Sequence, residues 1–349
     1  MTKDDVLALL EQADAPVSGE QMCKTLGLTR AAVWKAIEAL RADGYEIEAA
    51  TRRGYFLCTC PLTKSVLERR LAGQFPAERL IVLPEVDSTN NYLKTLAANG
   101  ASDGTAVLSL KQTAGRGRRG RSFLSEPGGL YLSFLMRPQE PAEALLHLTA
   151  LAGLCVCTAV KQVTGMQAGI KWPNDPVLNG KKLCGILTEL SVSLETQEPE
   201  YVVIGIGVNC NQKRFPEDLS MATSLRIEGG SPVDVNAVAA ALLLELSRMR
   251  REFLTRKDAW VRAFAETCLT VGKDVQILRA GDKRSRPEPS ALGKTQSFWF
   301  STRTGRRKAS RPARCRCADC MGMYKRARHI TAAVCRMTWC CPNGKGAWI

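Results

Sequence analysis

A chain of 349 residues with 45% apolar side chains is a globular protein of about two or three domains with well-buried cores. Its net charge of +15 is not spread along the chain: from Arg279 onward there are 17 Lys+Arg against 3 Asp+Glu, and before it 32 against 31. Total charge therefore excludes nothing and supports no general nucleic-acid role, so any such contact has to be argued locally.

Residues 1–57 read as three helices and a short hairpin. "DDVLALLEQAD" places Val6, Leu9 and Leu10 on one face, and "SGEQMCKTLGLTRAAVWKAIEALRADG" is two helices broken at Gly27, the second capped by Thr29 and stopped by Gly44. This is helix-turn-helix spacing, and "YEIEAATRRGYFL" alternates like two strands joined at Arg52 and Arg53, a wing beside the second helix. Thr29, Arg30, Trp34, Lys35 and Arg53 are the candidate DNA contacts; a helical packing module without a DNA partner is the alternative. "CTCPLTK", Cys58 to Lys64, reads as a linker.

Strands follow at "RLIVLPEV", "TAVLSLKQ", "LYLSFLMRP", "AGIKWP", "KKLCGILTELSVS" and "YVVIGIGVNCN", and helices at "NNYLKTLAANG", from Pro141 to Val163 and from Val235 to Phe264. Asn179-Gly180 between two apolar runs predicts a hairpin turn. Hairpin-joined strands with helices to one side predict an α+β mixed sheet. Leu145 to Val160, which contains His147 and two threonines, reads as a core helix rather than a membrane span, and no signal peptide precedes "MTKDDVLALL". The eight cysteines before residue 278 lack regular spacing and read as reduced core thiols of a cytosolic protein.

Four segments have the composition of a binding site. In "DSTNNYLK", Ser88, Thr89 and Asn90 stand between a strand's exit and a helix's entrance, where hydroxyls and free N–H groups grip a carbonyl or carboxylate, or where Ser88 merely caps the helix. "QTAGRGRRGRSF" packs four arginines and three glycines between Gly115 and Arg121, suited to a mobile loop closing over a nucleotide or to an RNA-binding segment. "KWPNDPVLNGKKLCGI" sets Asn174 and Asp175 before paired lysines of which one faces the apolar side of its strand and needs an anion, unless both are ordinary surface residues of the hairpin. "GIGVNCN" lets a backbone or ligand approach the sheet at Gly205 and Gly207.

Taken in order, "SGEQ…TLGLTRAAVWKAI", "DSTN", "GRGRRGR", "KWPND", "NGKKLCGI" and "GIGVN" resemble the bifunctional biotin–protein ligase and biotin operon repressor family over roughly residues 1–280. The resemblance implies an N-terminal winged helix-turn-helix over 1–60, a biotin/lipoate ligase-like catalytic domain over 65–268 and an SH3-like β-barrel starting over 269–285. It implies that Ser88, Thr89, Asn90 and Gln112 bind the ureido end of biotin, that Arg116, Gly117 and Arg118 lie along biotin and the phosphate of its adenylate, and that Lys182 meets the biotin carboxylate at the α-phosphate. Arg118 and Lys182 are thus the catalytic pair, and Arg118, Arg119, Arg121, Phe123, Asn174, Asp175 and Asn209 form the nucleotide side, with Asp175 placed to help position magnesium and no dedicated metal site. Phe123 stands where some relatives carry tryptophan, a smaller face with no indole donor. The implied substrates are biotin and MgATP; the implied partners are the biotin carrier domain of a biotin-dependent carboxylase, operator DNA and a second copy of the chain once adenylate is bound, with no membrane. A DNA-binding biotin sensor without turnover and a lipoate-type acyl ligase are the competing readings.

Residues 286–349 do not continue this pattern: "KTQSFWFSTRTGRRKASRPARCRCADCMGMYKRAR" has neither strand alternation nor a buried run, and Cys315, Cys317, Cys320, His329 and Cys335 make only a weak zinc pattern. Permitted codons for Ala313 to Lys325, read in a shifted frame, give E-V-S-V-R-G-L-Y-G-Y-V and a stop. That string resembles the family's barrel terminus, so the tail reads as an aberrant, disordered product of a frameshift between Arg286 and Gln296, and the barrel as lost.

Overall fold

The computed structural model describes residues 2–13, 15–50, 53–271, 276–278 and 336–338. At the N-terminus α1 (Thr2–Glu11), α2 (Gly19–Leu26) and α3 (Arg30–Ala42) pack on an antiparallel pair, β1 (Glu46–Ala50) and β2 (Gly54–Thr59). Ser18 and Thr29 start the second and third helices by accepting the N–H groups of Gln21 and Ala32, which satisfies orphan donors of the first turn. Val6, Leu10, Met22, Val33, Ile37 and Leu40 make a separate small core.

The larger unit contains α4 (Lys64–Leu71), β3 (Leu80–Leu83), α5 (Thr89–Ala98), β4 (Ala106–Ser109), β5 (Leu130–Met136) and α6 (Leu148–Thr164), followed by β6 (Gly169–Lys171), β7 (Asp175–Leu178), β8 (Lys181–Lys182), β9 (Cys184–Val192) and β10 (Pro199–Val208). It ends in α7 (Leu225–Gly229), α8 (Val235–Glu252) and α9 (Lys257–Thr267). The main sheet runs β3-β4-β5-β10-β9, with β3 and β4 parallel and the other neighbours antiparallel, and β6-β7-β8 form a smaller sheet. This is the expected α+β mixed sheet.

Helices cover both faces of the main sheet rather than one. Leu108, Leu132, Phe134 and Ile204 face the core that holds α6 and α8, while Val107, Leu135 and Val203 meet Leu93 and Ala97 of α5 on the other face. The reason lies in β4 and β5, which are buried at every position, the pattern of a strand covered on both faces. The single helix expected from Val235 to Phe264 is two, because the chain turns between Glu252 and Lys257 and returns Trp260 and Phe264 to the core beside α6.

Ala144–Thr164 is the one described helical stretch long and apolar enough to cross a membrane by length and composition. In the fold Leu151, Cys155, Val156 and Val160 of that stretch are buried in the main core. The eight described cysteines are free, five buried and Cys23, Cys58 and Cys60 partly so. The extended connection between units shortens to Cys60–Thr63, since β2 runs through Thr59 and α4 begins at Lys64. Buried Asn236 fastens it, donating to the carbonyls of Cys60 and Pro61 and accepting from Thr63 N–H. Beyond residue 271 only β11 (Gln276–Leu278), paired antiparallel with β12 (Arg336–Thr338), is described. The barrel, the frameshift and the late cysteine cluster otherwise lie outside the described residues.

Candidate functional site

The site forms where α5 starts beneath the sheet. Ser88 is the N-cap of α5 but its hydroxyl makes no capping bond, and it is 2% exposed, so it does not serve as an ordinary cap. Thr89 instead donates its N–H (2.8 Å) and hydroxyl (3.1 Å) to Gln112 Oε1, whose Nε2 donates to Ser125 Oγ at 2.8 Å. Ser133 in the middle of β5 interacts with Thr89 Oγ1 at 2.8 Å and donates to Asn90 Oδ1 at 2.6 Å. Asn90 Nδ2 then reaches Glu189 Oε2 at 2.8 Å and Leu187 O at 3.3 Å. Ser88, Thr89, Asn90 and Gln112 thus come together as one polar wall, joined by Ser125, Ser133 and Glu189.

Glu189 is the charge at the end of that wall. Burial pushes its carboxyl up, but hydrogen bonds from Lys94 and Asn90, with the charges of Lys94 and Arg116, outweigh burial and hold it below the usual carboxylate value. Arg116 lies 3.5 Å from Glu189 and donates to Asn91 Oδ1 at 2.9 Å. Asp87 is held low by hydrogen bonds from the Asn91 side chain and the Ser88 N–H, both stronger than its slight desolvation.

The arginine-glycine loop is folded back on itself. Gly117 N–H donates to Arg121 O, Phe123 N–H donates to Gly115 O, and Arg118–Gly120 makes a single 3-10 turn. This closes the loop so that Phe123 lies over β9 and β10: a β-carbon at Gly185 would meet its ring at 2.7 Å, and one at Gly207 would overlap it. A β-carbon at Gly205 would collide with Asn90 Oδ1. The glycines of "GIGVN" are therefore a floor for Asn90 and Phe123, as a close approach to the sheet requires. Tyr131 meets the Phe123 ring edge-on at 6.4 Å between centroids.

Arg118 donates to Asn174 Oδ1 at 2.9 Å, and both line a cavity of about 150 Å³ with Trp172, Ile186, Leu187 and Thr188. Ser88, Thr89, Asn90 and Gln112 do not line that cavity. Lys182 is the inward member of the lysine pair, and the anion it needs is supplied by Asp175, 2.9 Å away. Asn209 donates to Thr223 O at 2.9 Å. Arg121 is exposed at the rim, and of Arg119 only the backbone is described. Among the described residues no three His, Cys, Asp or Glu side chains gather as a metal cluster.

On the N-terminal unit Arg30, Trp34 and Lys35 are exposed on α3, whose Val33, Ala36, Ile37 and Leu40 are buried, and Thr29 is the exposed N-cap at its start. Trp34 is 55% exposed, and Arg53 stands exposed beside the wing turn. Sequence reasoning missed Ser133, Glu189 and Ser125. Two left a signal: a lone serine within "LYLSFLM", a polar position in a fully buried strand that needs a partner, and a lone acid within "ILTELSV", a charge in a half-buried one.

A helix-turn-helix unit with a wing precedes a mixed sheet that carries a polar wall, a glycine floor and an arginine loop, a helix-turn-helix module joined to an α+β ligase-like domain. The model of the biotin/lipoate A/B protein ligase family matches residues 82–209, and a helix-turn-helix domain model matches residues 2–56. The bifunctional ligase/repressor BirA of Bacillus subtilis (strain 168) is 39% identical over 260 residues, covering 72% of this chain and 79% of that protein. BirA of Escherichia coli (strain K12) is 36% identical over 232 residues, 66% of this chain and 70% of that one. Among solved structures, biotin protein ligase from Aquifex aeolicus in complex with biotin and ATP is 33% identical, covers 68% of this chain and 99% of its own, and superposes with a TM-score of 0.51. The chain belongs to the biotin/lipoate A/B protein ligase family, in its form that carries an N-terminal helix-turn-helix domain.

Proposed function

We propose that the chain forms biotinyl-5'-AMP from biotin and ATP, transfers the biotinyl group to a lysine of the biotin carrier domain of a biotin-dependent carboxylase, and represses transcription of biotin genes. The observation that carries this is the presence on one chain of both units that the named ligase/repressors possess. In the first step a biotin carboxylate oxygen attacks the α-phosphorus, a P–O bond forms, and the bond to pyrophosphate breaks. In the second the carrier amine attacks the acyl carbon, AMP leaves with the C–O bond electrons, and the amine proton goes to solvent.

Ser88, Thr89, Asn90 and Gln112 receive the ureido end of biotin. The Ser88 hydroxyl makes no capping bond to α5, which leaves it to meet a ligand. Arg116, Gly117 and Arg118 follow the ligand toward the phosphate, and Arg118 and Lys182 stabilise charge on the α-phosphate. Arg119, Arg121, Phe123, Asn174, Asp175 and Asn209 make the nucleotide side. Magnesium arrives with ATP. Closure of the loop over the mixed anhydride keeps water from it.

With adenylate bound the chain forms a homodimer, and α3 and the wing meet operator DNA through Thr29, Arg30, Trp34, Lys35 and Arg53. Both activities are cytoplasmic, with no membrane partner. Incubation with labelled biotin, ATP and a biotin carrier domain tests the ligase: transfer of label is expected. Tight biotin binding without transfer would instead select a DNA-binding sensor, and lipoate labelling a lipoate ligase. Gel retardation of its own promoter that depends on biotin and ATP tests the repressor.

A further inference from the structure

Strand β8 is only two residues long, Lys181–Lys182, and pairs with β7 at Val177↔Lys182 and Leu178↔Lys181. So short a ladder does not by itself fix the lysine it carries. The missing restraint comes from the segment that leads into α7. Lys182 N–H donates to Met221 O at 2.7 Å, and Thr223 N–H donates to Lys182 O at 2.9 Å. The Thr223 carbonyl also accepts from Asn209 Nδ2 at 2.9 Å. Thr223, fully buried, therefore holds two of the candidate site residues at once.

What holds Thr223 is Glu228. The Thr223 hydroxyl donates to Glu228 Oε1, and Asn179 Nδ2 donates to Glu228 Oε2. Asn179 belongs to the turn between β7, which begins at Asp175, and β8. One carboxylate thus joins the far end of the lysine hairpin to the residue clamped on the lysine's backbone. The hydrogen bond from Thr223 holds the Glu228 acid below its ordinary value against its slight burial, with Asn179 and the charge of Lys181 adding to it. Both oxygens are then acceptors at neutral pH, as this pair of donors requires.

Resting on the ligase reading above, we propose that Glu228 is a positioning residue for adenylate formation, fixing Lys182 and Asn209 through Thr223 without touching substrate. The polar wall of Ser88, Thr89, Asn90 and Gln112 is built on other elements, so loss of Glu228 disturbs the reacting centre and leaves recognition of the ureido end of biotin alone. The pattern is one a purely structural glutamate does not produce.

The test is steady-state pyrophosphate release from the full chain with biotin, MgATP and a biotin carrier domain as acceptor, for wild type, Glu228→Ala, Glu228→Gln, Asn179→Gly and Arg226→Ala. Glu228→Ala is expected to lower kcat about tenfold with the KM for biotin within about twofold, as misplacement of a catalytic group does. Glu228→Gln, which keeps an acceptor for Thr223, is expected within about threefold of wild type, and exposed Asn179→Gly, which keeps the turn but drops one tie, to fall between them. Arg226→Ala loosens the same helix without touching Thr223, and its rate is expected to match wild type. An unchanged kcat in Glu228→Ala, an equal loss in Arg226→Ala, or a rise in biotin KM that matches the fall in kcat overturns the proposal. Should Glu228→Ala fail to fold, an unaltered kcat in Asn179→Gly overturns it instead. A wild-type chain that releases no pyrophosphate overturns the ligase reading itself, a result distinct from any of these.

Discussion

Arg226 in α7 places its Nη1 2.8 and 3.1 Å from the two oxygens of Glu46, the first residue of the wing strand β1. With the Asn236 bonds to the connecting segment and an ion pair at 3.6 Å between Arg69 and Glu11 of α1, this is how the N-terminal unit is seated on the larger one. The pair is partly buried, the Arg226 side chain 18% exposed, so it is screened less than a surface pair.

Loss of the pair should loosen the wing without unfolding either core. Arg226→Ala is expected to cost about 1 kcal/mol and to speed amide hydrogen exchange in residues 46–59 while α6 and β5 keep their protection. Equal protection of the wing in the variant would show that the pair does not restrain it.

The Glu189 network predicts a pH dependence of known sign. The folded carboxyl is held below its unfolded value, so its contribution is complete above the unfolded range and is lost as pH falls through the folded value. Glu189→Gln should therefore be less stable than wild type at pH 7, by about 1–3 kcal/mol, and the two melting curves should converge as pH falls below the ordinary carboxylate range. A gap that stays constant between pH 7 and pH 3 would contradict this.

The two floor glycines of β10 should respond differently to the same methyl group. At Gly205 it strikes Asn90, which is tied to Ser133 and Glu189 and has no room to withdraw, and a loss of about 3 kcal/mol is expected in denaturant unfolding. At Gly207 it strikes Phe123, whose loop can lift away, and a loss nearer 1 kcal/mol is expected, with faster tryptic cleavage at Arg116–Arg121.

Lys182→Met removes a cationic donor whose partner, Asp175, is itself partly exposed, so thermal stability should change by less than about 1 kcal/mol. On the role proposed for Lys182 at the α-phosphate, pyrophosphate release should fall by about a hundredfold or more. Comparison with Asp175→Asn, which keeps the lysine and loosens it, should show a smaller loss.

Much of this was legible in the sequence wherever one rule governed a segment. The helix-turn-helix spacing, the Asn179-Gly180 turn, with φ of 49° and 79°, and the five strands of the main sheet follow from local periodicity and turn chemistry. The inward lysine of "GKKL" was legible as a lysine in need of an anion, while its partner Asp175 was not, because pairing across a hairpin depends on register. Coverage of both sheet faces was hidden for a different reason: β4 and β5 are too short for a helix and too apolar for alternation to show. Glu189 and Ser133 escaped because each looks like an isolated polar residue until α5 is packed beneath the sheet and brings Asn90 between them.

The glycine floor has a consequence for how this chain and its relatives diverge. A pocket lined by side chains can be reshaped in small steps, each new residue slightly larger or more polar than the last. A surface made from the absence of side chains has no smaller neighbour to move to, and every change at Gly205 or Gly207 is an addition. Change would therefore enter through Phe123, the loop residue resting on the floor, and the strand beneath would stay fixed.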